Sequence, residues 1–135
     1  MRTIKEIIIH CTATPDGREV TAKDVTLWHR QRGFKTIGYH YLIRLDGTIE
    51  VGRNEADIGA HCLGHNRYSI GIAYVGGIGA DGKAQDTRTD KQRQSLITIL
   101  KDLKRRYPGV AIYGHRDFAN KDCPCFNATK EYINI

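Results

Sequence analysis

The 135 residues carry a formal charge of +6, with hydrophobic residues at 40% and charged ones at 27%. That balance is ordinary for a globular domain and makes disorder an unexpected state, and the length suits one hydrophobic core rather than two. The positive excess is local, since the segment from Arg88 to Arg106 holds seven basic and two acidic residues, and no stretch reaches the roughly 18 apolar residues of a membrane span.

The amino terminus, MRTIKEIII, is interrupted by charge and lacks the apolar run and cleavage pattern of a signal peptide, so cytoplasmic synthesis is the expectation. Residues 4–11 are predicted to form a central strand, because Ile7-Ile8-Ile9 is a continuous β-branched run suited to a sheet covered on both faces. The strand runs out at His10-Cys11 into a polar turn over residues 12–17. Thr21 then offers a helix N-cap with Asp24 three residues on, while Val20 and Val25 stand at the spacing of a hydrophobic staple. Val25, Trp28 and either His29 or Arg32 recur at helical spacing, and Gly33 is the expected stop. From Tyr39 the period becomes two: Tyr39, Tyr41, Ile43 and Leu45 alternate with His40, Leu42 and Arg44. Asp46-Gly47 reads as a two-residue hairpin turn into residues 48–51.

Residues 53–68 show little periodicity and are predicted to be a long connection with a short helical piece, a place where function often resides. Residues 69–75 form another compact strand candidate, followed by a flexible polar loop over 76–84. Thr89 and Gln92 make a second capping box, opening a helix whose Leu96, Ile99, Leu100, Leu103 and Tyr107 share one face. Pro108-Gly109 ends it, and residues 110–113 form a last strand leading to Gly114-His115. This order implies a single-domain α/β fold, a central mixed β-sheet flanked by helices.

Four cysteines, at positions 11, 62, 123 and 125, permit two disulfides, but without an export signal thiol or metal chemistry is the first expectation. His10 and His115 each follow a strand candidate, and Cys123 lies eight residues beyond His115 in Asp122-Cys123-Pro124-Cys125. Two imidazoles and a thiolate make three zinc ligands with a fourth position open to water, an arrangement suited to hydrolysis. Spacing alone leaves unrelated rim and core roles open, because none of the three stands in a tight ligand motif. No serine sits in a nucleophile elbow, and the glycines at 76–79 are not followed by a helix start that would cradle phosphate. The basic segment reads as a solvated helix face or as a surface for an anionic polymer; without interleaved aromatics, nucleic acid is the weaker reading.

The local sequences are more specific than the spacing. Ile7-Ile8-Ile9-His10-Cys11-Thr12-Ala13-Thr14, Trp28-His29, Gly38-Tyr39-His40-Tyr41, Asp46-Gly47-Thr48 and Gly59-Ala60-His61 are followed by Asn66, Ser69-Ile70-Gly71-Ile72 and Val75-Gly76-Gly77. Gln94-Ser95-Leu96, Gly114-His115-Arg116-Asp117 and Lys121-Asp122-Cys123-Pro124 complete the series. On these segments the chain resembles the type 2 N-acetylmuramoyl-L-alanine amidases, zinc enzymes of phage lysis that are related to peptidoglycan-recognition proteins.

The resemblance implies that His10, His115 and Cys123 hold Zn2+, that Tyr39 is an active-site hydroxyl, that Lys121 stabilises an oxyanion, and that His61 contacts substrate in the groove. Cys125 is the competing ligand; the resemblance favours Cys123, and in an extended Cys-Pro-Cys segment the two thiols should diverge. His29 is expected to dock the first helix, His40 to point away from Tyr39, and Asn66, Ser69 and Asp117 to organise loops. The implied reaction is hydrolysis of the amide between N-acetylmuramic acid and L-alanine in peptidoglycan, by a monomer with no nucleic-acid partner and no transmembrane segment. Such an enzyme would reach the wall after phage- or prophage-mediated membrane release, with the basic helix serving wall association rather than bond chemistry. The alternative is a noncatalytic peptidoglycan-recognition module, which a complete ligand set disfavours.

Overall fold

Ile7, Ile8 and Ile9 have no solvent exposure at all. In the computed structural model, which describes residues 2–135, they lie in β1 (Glu6–Cys11), the second strand from one edge of a five-stranded sheet. The other strands are β3 (Tyr41–Ile43), β4 (Ile49–Val51), β5 (Ser69–Tyr74) and β7 (Ala111–Gly114), in the spatial order β4-β3-β5-β1-β7. β1 pairs in parallel with β5 and β7, β3 pairs in parallel with β5, and only β3 and β4 are antiparallel, so the sheet is mixed as expected. A small second sheet pairs β2 (Thr14–Pro15) with β6 (Gly77–Ile78). These two strands fall where the sequence suggests only polar turn and flexible loop, because two residues are too few to carry a hydrophobic period.

Helices cover both faces. α1 (Ala22–Gln31) starts at Thr21, whose side chain accepts from the Asp24 amide while Asp24 accepts from the Thr21 amide, and Gly33 follows its last turn at φ +94°. Val20 and Val25 are both buried and share a cluster with Ile37, Leu42, Ala73 and Val75. α2 (Asp90–Arg106) presents Leu96, Ile99, Leu100 and Leu103 to Ile7, Ile9, Ile70 and Ile72 on the opposite face, where α3 (Ala128–Glu131) also packs through Ala128. Alternation along β1 therefore sends Ile7, Ile9 and Cys11 toward α2 and leaves His10 facing the α1 side. Among the described residues, no helix is long and apolar enough to cross a membrane.

Three expectations need correction. The β3–β4 turn is longer than two residues: the Gly47 amide donates to the Arg44 carbonyl and the Arg44 amide to Thr48, with Gly47 at φ +88° where a side chain would be strained. The alternation breaks at the start of β3, since Tyr39 packs with the cluster under α1 and Tyr41 with the cluster under α2, on opposite faces although two residues apart. The basic segment keeps the expected solvated face at Lys91, Arg93, Lys101, Arg105 and Arg106, which are exposed, but not at its start. The Arg88 side chain has no exposure; it pairs with Asp86 and Glu131, donates to the Tyr132 hydroxyl and lies 3.3 Å from the Phe126 ring centroid. Arg93 pairs with Asp86, Arg105 with Asp102, and Arg106 with both Asp102 and Glu55.

The long connection over residues 53–68 is held by polar side chains rather than by an apolar face. Arg53 donates to the carbonyls of Ile37 and Ile58, Arg2 to those of Glu55 and Ser69, and Asn66 Oδ1 accepts from the amides of His61 and Cys62. Glu55 accepts a two-pronged pair from Arg106 at 2.8 and 2.9 Å and further bonds from the Tyr107 and Tyr41 hydroxyls. Arg106 above all holds this carboxyl down to about 2, against an ordinary 4.5. A depressed carboxylate stabilises the fold fully above its ordinary value and loses that contribution as pH falls through about 2. Because Arg106 is partly exposed and solvent screens the pair, Glu55→Gln should lower unfolding free energy by about 1 kcal/mol at neutral pH. In urea titrations the gap to wild type should close as pH falls from 4.5 toward 2; a gap independent of pH would contradict the ion pair's role.

Candidate metal centre

β1 and β7 are adjacent and parallel, so the residues at their carboxyl ends come together. His10 is the penultimate residue of β1, and His115 opens a short 3-10 turn, His115–Asp117, directly after β7. The two rings stand 4.5 Å apart between centroids. The chain then returns through residues 118–122 and brings Cys123 beside Cys11, whose backbone amide donates to Cys123 Sγ at 3.2 Å. One donor atom from each of His10, His115 and Cys123 lies within 4.8 Å of the others, a set able to coordinate a metal ion.

The electrostatics suit a cation. Burial, reinforced by His61, His115 and Lys121, drives the His10 pKa well below its ordinary value, and burial with Lys121 lowers that of His115, so both imidazoles are neutral with a lone pair to give. The Cys123 thiol is pushed down, first by a hydrogen bond from the Cys11 side chain and then by the Cys11 amide, against the opposing effect of burial. Cys11 is pushed up and stays a thiol. The two cysteines thus divide their roles: Cys11 donates and Cys123 moves toward the thiolate that metals bind. Two neutral nitrogens and one soft anionic sulfur are a donor set that fits zinc.

Cys125 stays out of this cluster, but not for the reason expected. The Cys125 amide donates to the Asp122 carbonyl at 2.6 Å and Cys125 has φ +73°, so the segment is a tight turn rather than extended. The turn directs Cys125 Sγ to the Gly77 carbonyl and to within 3.9 Å of Cys11 Sγ. None of the four cysteines is in a disulfide.

Tyr39 sits next to the centre, its ring 5.1 Å from that of His10 and 5.3 Å from that of His29. Burial, with the sulfurs of Cys123 and Cys11 adding to it, raises its pKa, so at neutral pH the phenol keeps its proton and acts as a donor. Lys121 is exposed on the loop leading to Cys123, and its charge acts on His10, His115 and Cys123 alike. His29 docks α1 as expected: its Nδ1 accepts from the Gly38 amide at 2.8 Å, placing the turn that carries Tyr39. His40 does not simply point away. Its Nδ1 accepts from the Gly71 amide and its Nε2 donates to the Asp57 carbonyl, while its ring stands 5.9 Å from His61. Asp117 caps the turn after β7 by accepting from the Gly114 amide.

His61 is turned inward toward protein partners. It is only 9% exposed, with Nδ1 at 2.8 Å from His10 Nε2 and Nε2 at 3.1 Å from the Ser69 hydroxyl. Both ring nitrogens are taken by protein partners, leaving none open to a groove. The cue in the sequence was Gly71, a glycine inside a strand, which marks close approach by another group.

With the geometry in place, the comparisons agree with it. The family model described as N-acetylmuramoyl-L-alanine amidase matches residues 1–126. The endolysin of Klebsiella phage KP32 is 39% identical over 122 residues, spanning 90% of this chain and 81% of its own length. The endolysin of Enterobacteria phage T3 is 40% identical over 125 residues, spanning 93% of this chain and 83% of its own. Among solved structures, the N-acetylmuramoyl-L-alanine amidase LysC from Clostridium intestinale URNW superposes with a TM-score of 0.82 at 32% identity, covering 98% of this chain and 83% of that one. Strand order, site and similarity over nearly the whole chain converge, and the chain belongs to the N-acetylmuramoyl-L-alanine amidase family.

Proposed function

We propose that the chain is a zinc-dependent amidase that hydrolyses the bond between the lactyl group of N-acetylmuramic acid and L-alanine in peptidoglycan. The observation that carries this reading is the complete His10, His115 and Cys123 set, with its donor atoms within 4.8 Å of one another, in a member of this family. A recognition module has no use for a full set of metal donors, whereas a hydrolase needs all three and a free fourth position. The similarity to phage endolysins supports a role in phage- or prophage-mediated lysis, with residues 1–135 as one catalytic domain.

His10, His115 and Cys123 would hold the zinc ion, which would supply a Lewis acid able to polarise the amide carbonyl and to lower the pKa of water. The protein's own groups do the rest. The protonated Tyr39 phenol, beside His10, orients the attacking water by a hydrogen bond. The Lys121 ammonium balances negative charge as it grows on the carbonyl oxygen. As the C–N bond breaks, the lactyl carbon becomes a carboxylate and the alanine nitrogen leaves with a proton derived from water.

Zinc dependence is testable on a suspension of purified walls. Protein stripped with a strong chelator should fail to clear it, and one equivalent of zinc should restore clearing where magnesium does not. Undiminished clearing by metal-free protein would remove zinc from the reaction.

A further inference from the structure

We infer that His61 is a positioning residue that fixes His10 in the tautomer presenting Nδ1, not Nε2, to the metal; the inference rests on the zinc reading above. His10 Nε2 and His61 Nδ1 are 2.8 Å apart, a distance that holds one proton and leaves no room for an ion between them. Nδ1 is thus the only ring nitrogen of His10 free to coordinate. For Nδ1 to offer a lone pair, a neutral His10 must carry its proton on Nε2 and donate it to His61. His61 then carries its own proton on Nε2 and donates to Ser69 Oγ at 3.1 Å. One choice of ligand atom sets the proton positions along the whole Ser69–His61–His10 chain.

The surroundings hold His61 to this task. His10, His61 and Ser69 are all buried, so water does not compete for their hydrogen bonds. Asn66 Oδ1 accepts from the His61 amide at 2.9 Å and fixes its backbone. A Cβ on Gly71 would lie 2.6 Å from His61 Cγ and Cδ2, and one on Gly59 would lie 2.8 Å from Cδ2, so two glycines keep open the space the ring fills. Metal-binding histidines commonly donate their second N–H to a carboxylate or carbonyl. Here the acceptor is a neutral imidazole, which orients the ligand without adding a second negative charge to a site that already has the Cys123 sulfur.

Nitrogen-15 spectra of histidine-labelled, zinc-loaded protein report the state of each ring nitrogen. The expected result is zinc on Nδ1 of His10, a proton on its Nε2, and His61 protonated on Nε2 alone. Coordination through His10 Nε2, or a proton on His61 Nδ1, overturns the inference. By chelator competition, His61→Ala should weaken zinc binding by about 10–100-fold, the range for losing such a partner. His61→Asn, whose amide oxygen can take the place of Nδ1, should recover most of that loss. Wild-type zinc affinity in folded His61→Ala also overturns the inference. If zinc perturbs neither His10 nor His115 in the wild-type chain, the metal reading itself fails, and that result is visible before any substitution is made.

Discussion

Cys123→Ser should lose zinc by a factor of at least about 100, more than the loss of an outer hydrogen-bonding partner brings, and wall hydrolysis should fall with it. The physical reason is the preparation of this sulfur. The Cys11 thiol and amide both stabilise its anionic form, whereas a serine hydroxyl at the same place remains protonated and is a hard, neutral donor. Cys125→Ala should keep the metal, because its sulfur bonds to Gly77 and lies against Cys11. Zinc content after gel filtration, measured on both folded variants, separates the two cysteines. Metal retained in Cys123→Ser and lost in Cys125→Ala would reverse the assignment.

Lys121→Ala and Tyr39→Phe should bind zinc normally and lose turnover. Neither side chain belongs to the donor cluster, yet the Lys121 charge reaches every member of it and the Tyr39 ring stands 5.1 Å from His10. Removing a donor that stabilises a developing oxyanion costs about 100–1,000-fold in kcat, and that is the expected loss for Lys121→Ala. Losing the hydroxyl that orients water should cost about 100-fold in Tyr39→Phe. Both losses should fall on kcat rather than KM, since the interactions strengthen only as charge develops. Single-turnover rates on a soluble muropeptide, at matched zinc content, check this; wild-type turnover in either variant would take that residue out of the reaction.

The parts legible in the sequence were those written in local patterns. The β-branched run of β1, the capping boxes at Thr21 and Thr89 and the leucine face of α2 each depend on neighbours within a turn or a strand, so periodicity and side-chain chemistry reveal them. The His10, His115 and Cys123 cluster was suggested by strand-end placement but singled out only by the resemblance, because His10 is far from the other two in sequence and joins them through the pairing of β1 with β7. For the burial of His61 against His10 the sequence held one cue, Gly71 inside a strand, but not the partner, since the contact depends on space left by Gly71 and Gly59 on two separate segments. The burial of Arg88, which the charge count placed on a solvated face, was not legible. Its partners Asp86, Glu131 and Tyr132 meet only when the carboxyl-terminal segment folds back on the sheet.

The central claim concerns which bond is cut, and mass spectrometry of a purified muropeptide digested by the zinc-loaded protein tests it most directly. The account requires two products, an intact N-acetylmuramic acid ending in its lactyl carboxylate and a stem peptide with a free L-alanine amino terminus, the pair together one water heavier than the substrate. Fragments cut between sugars, or between amino acids of the stem, would contradict it.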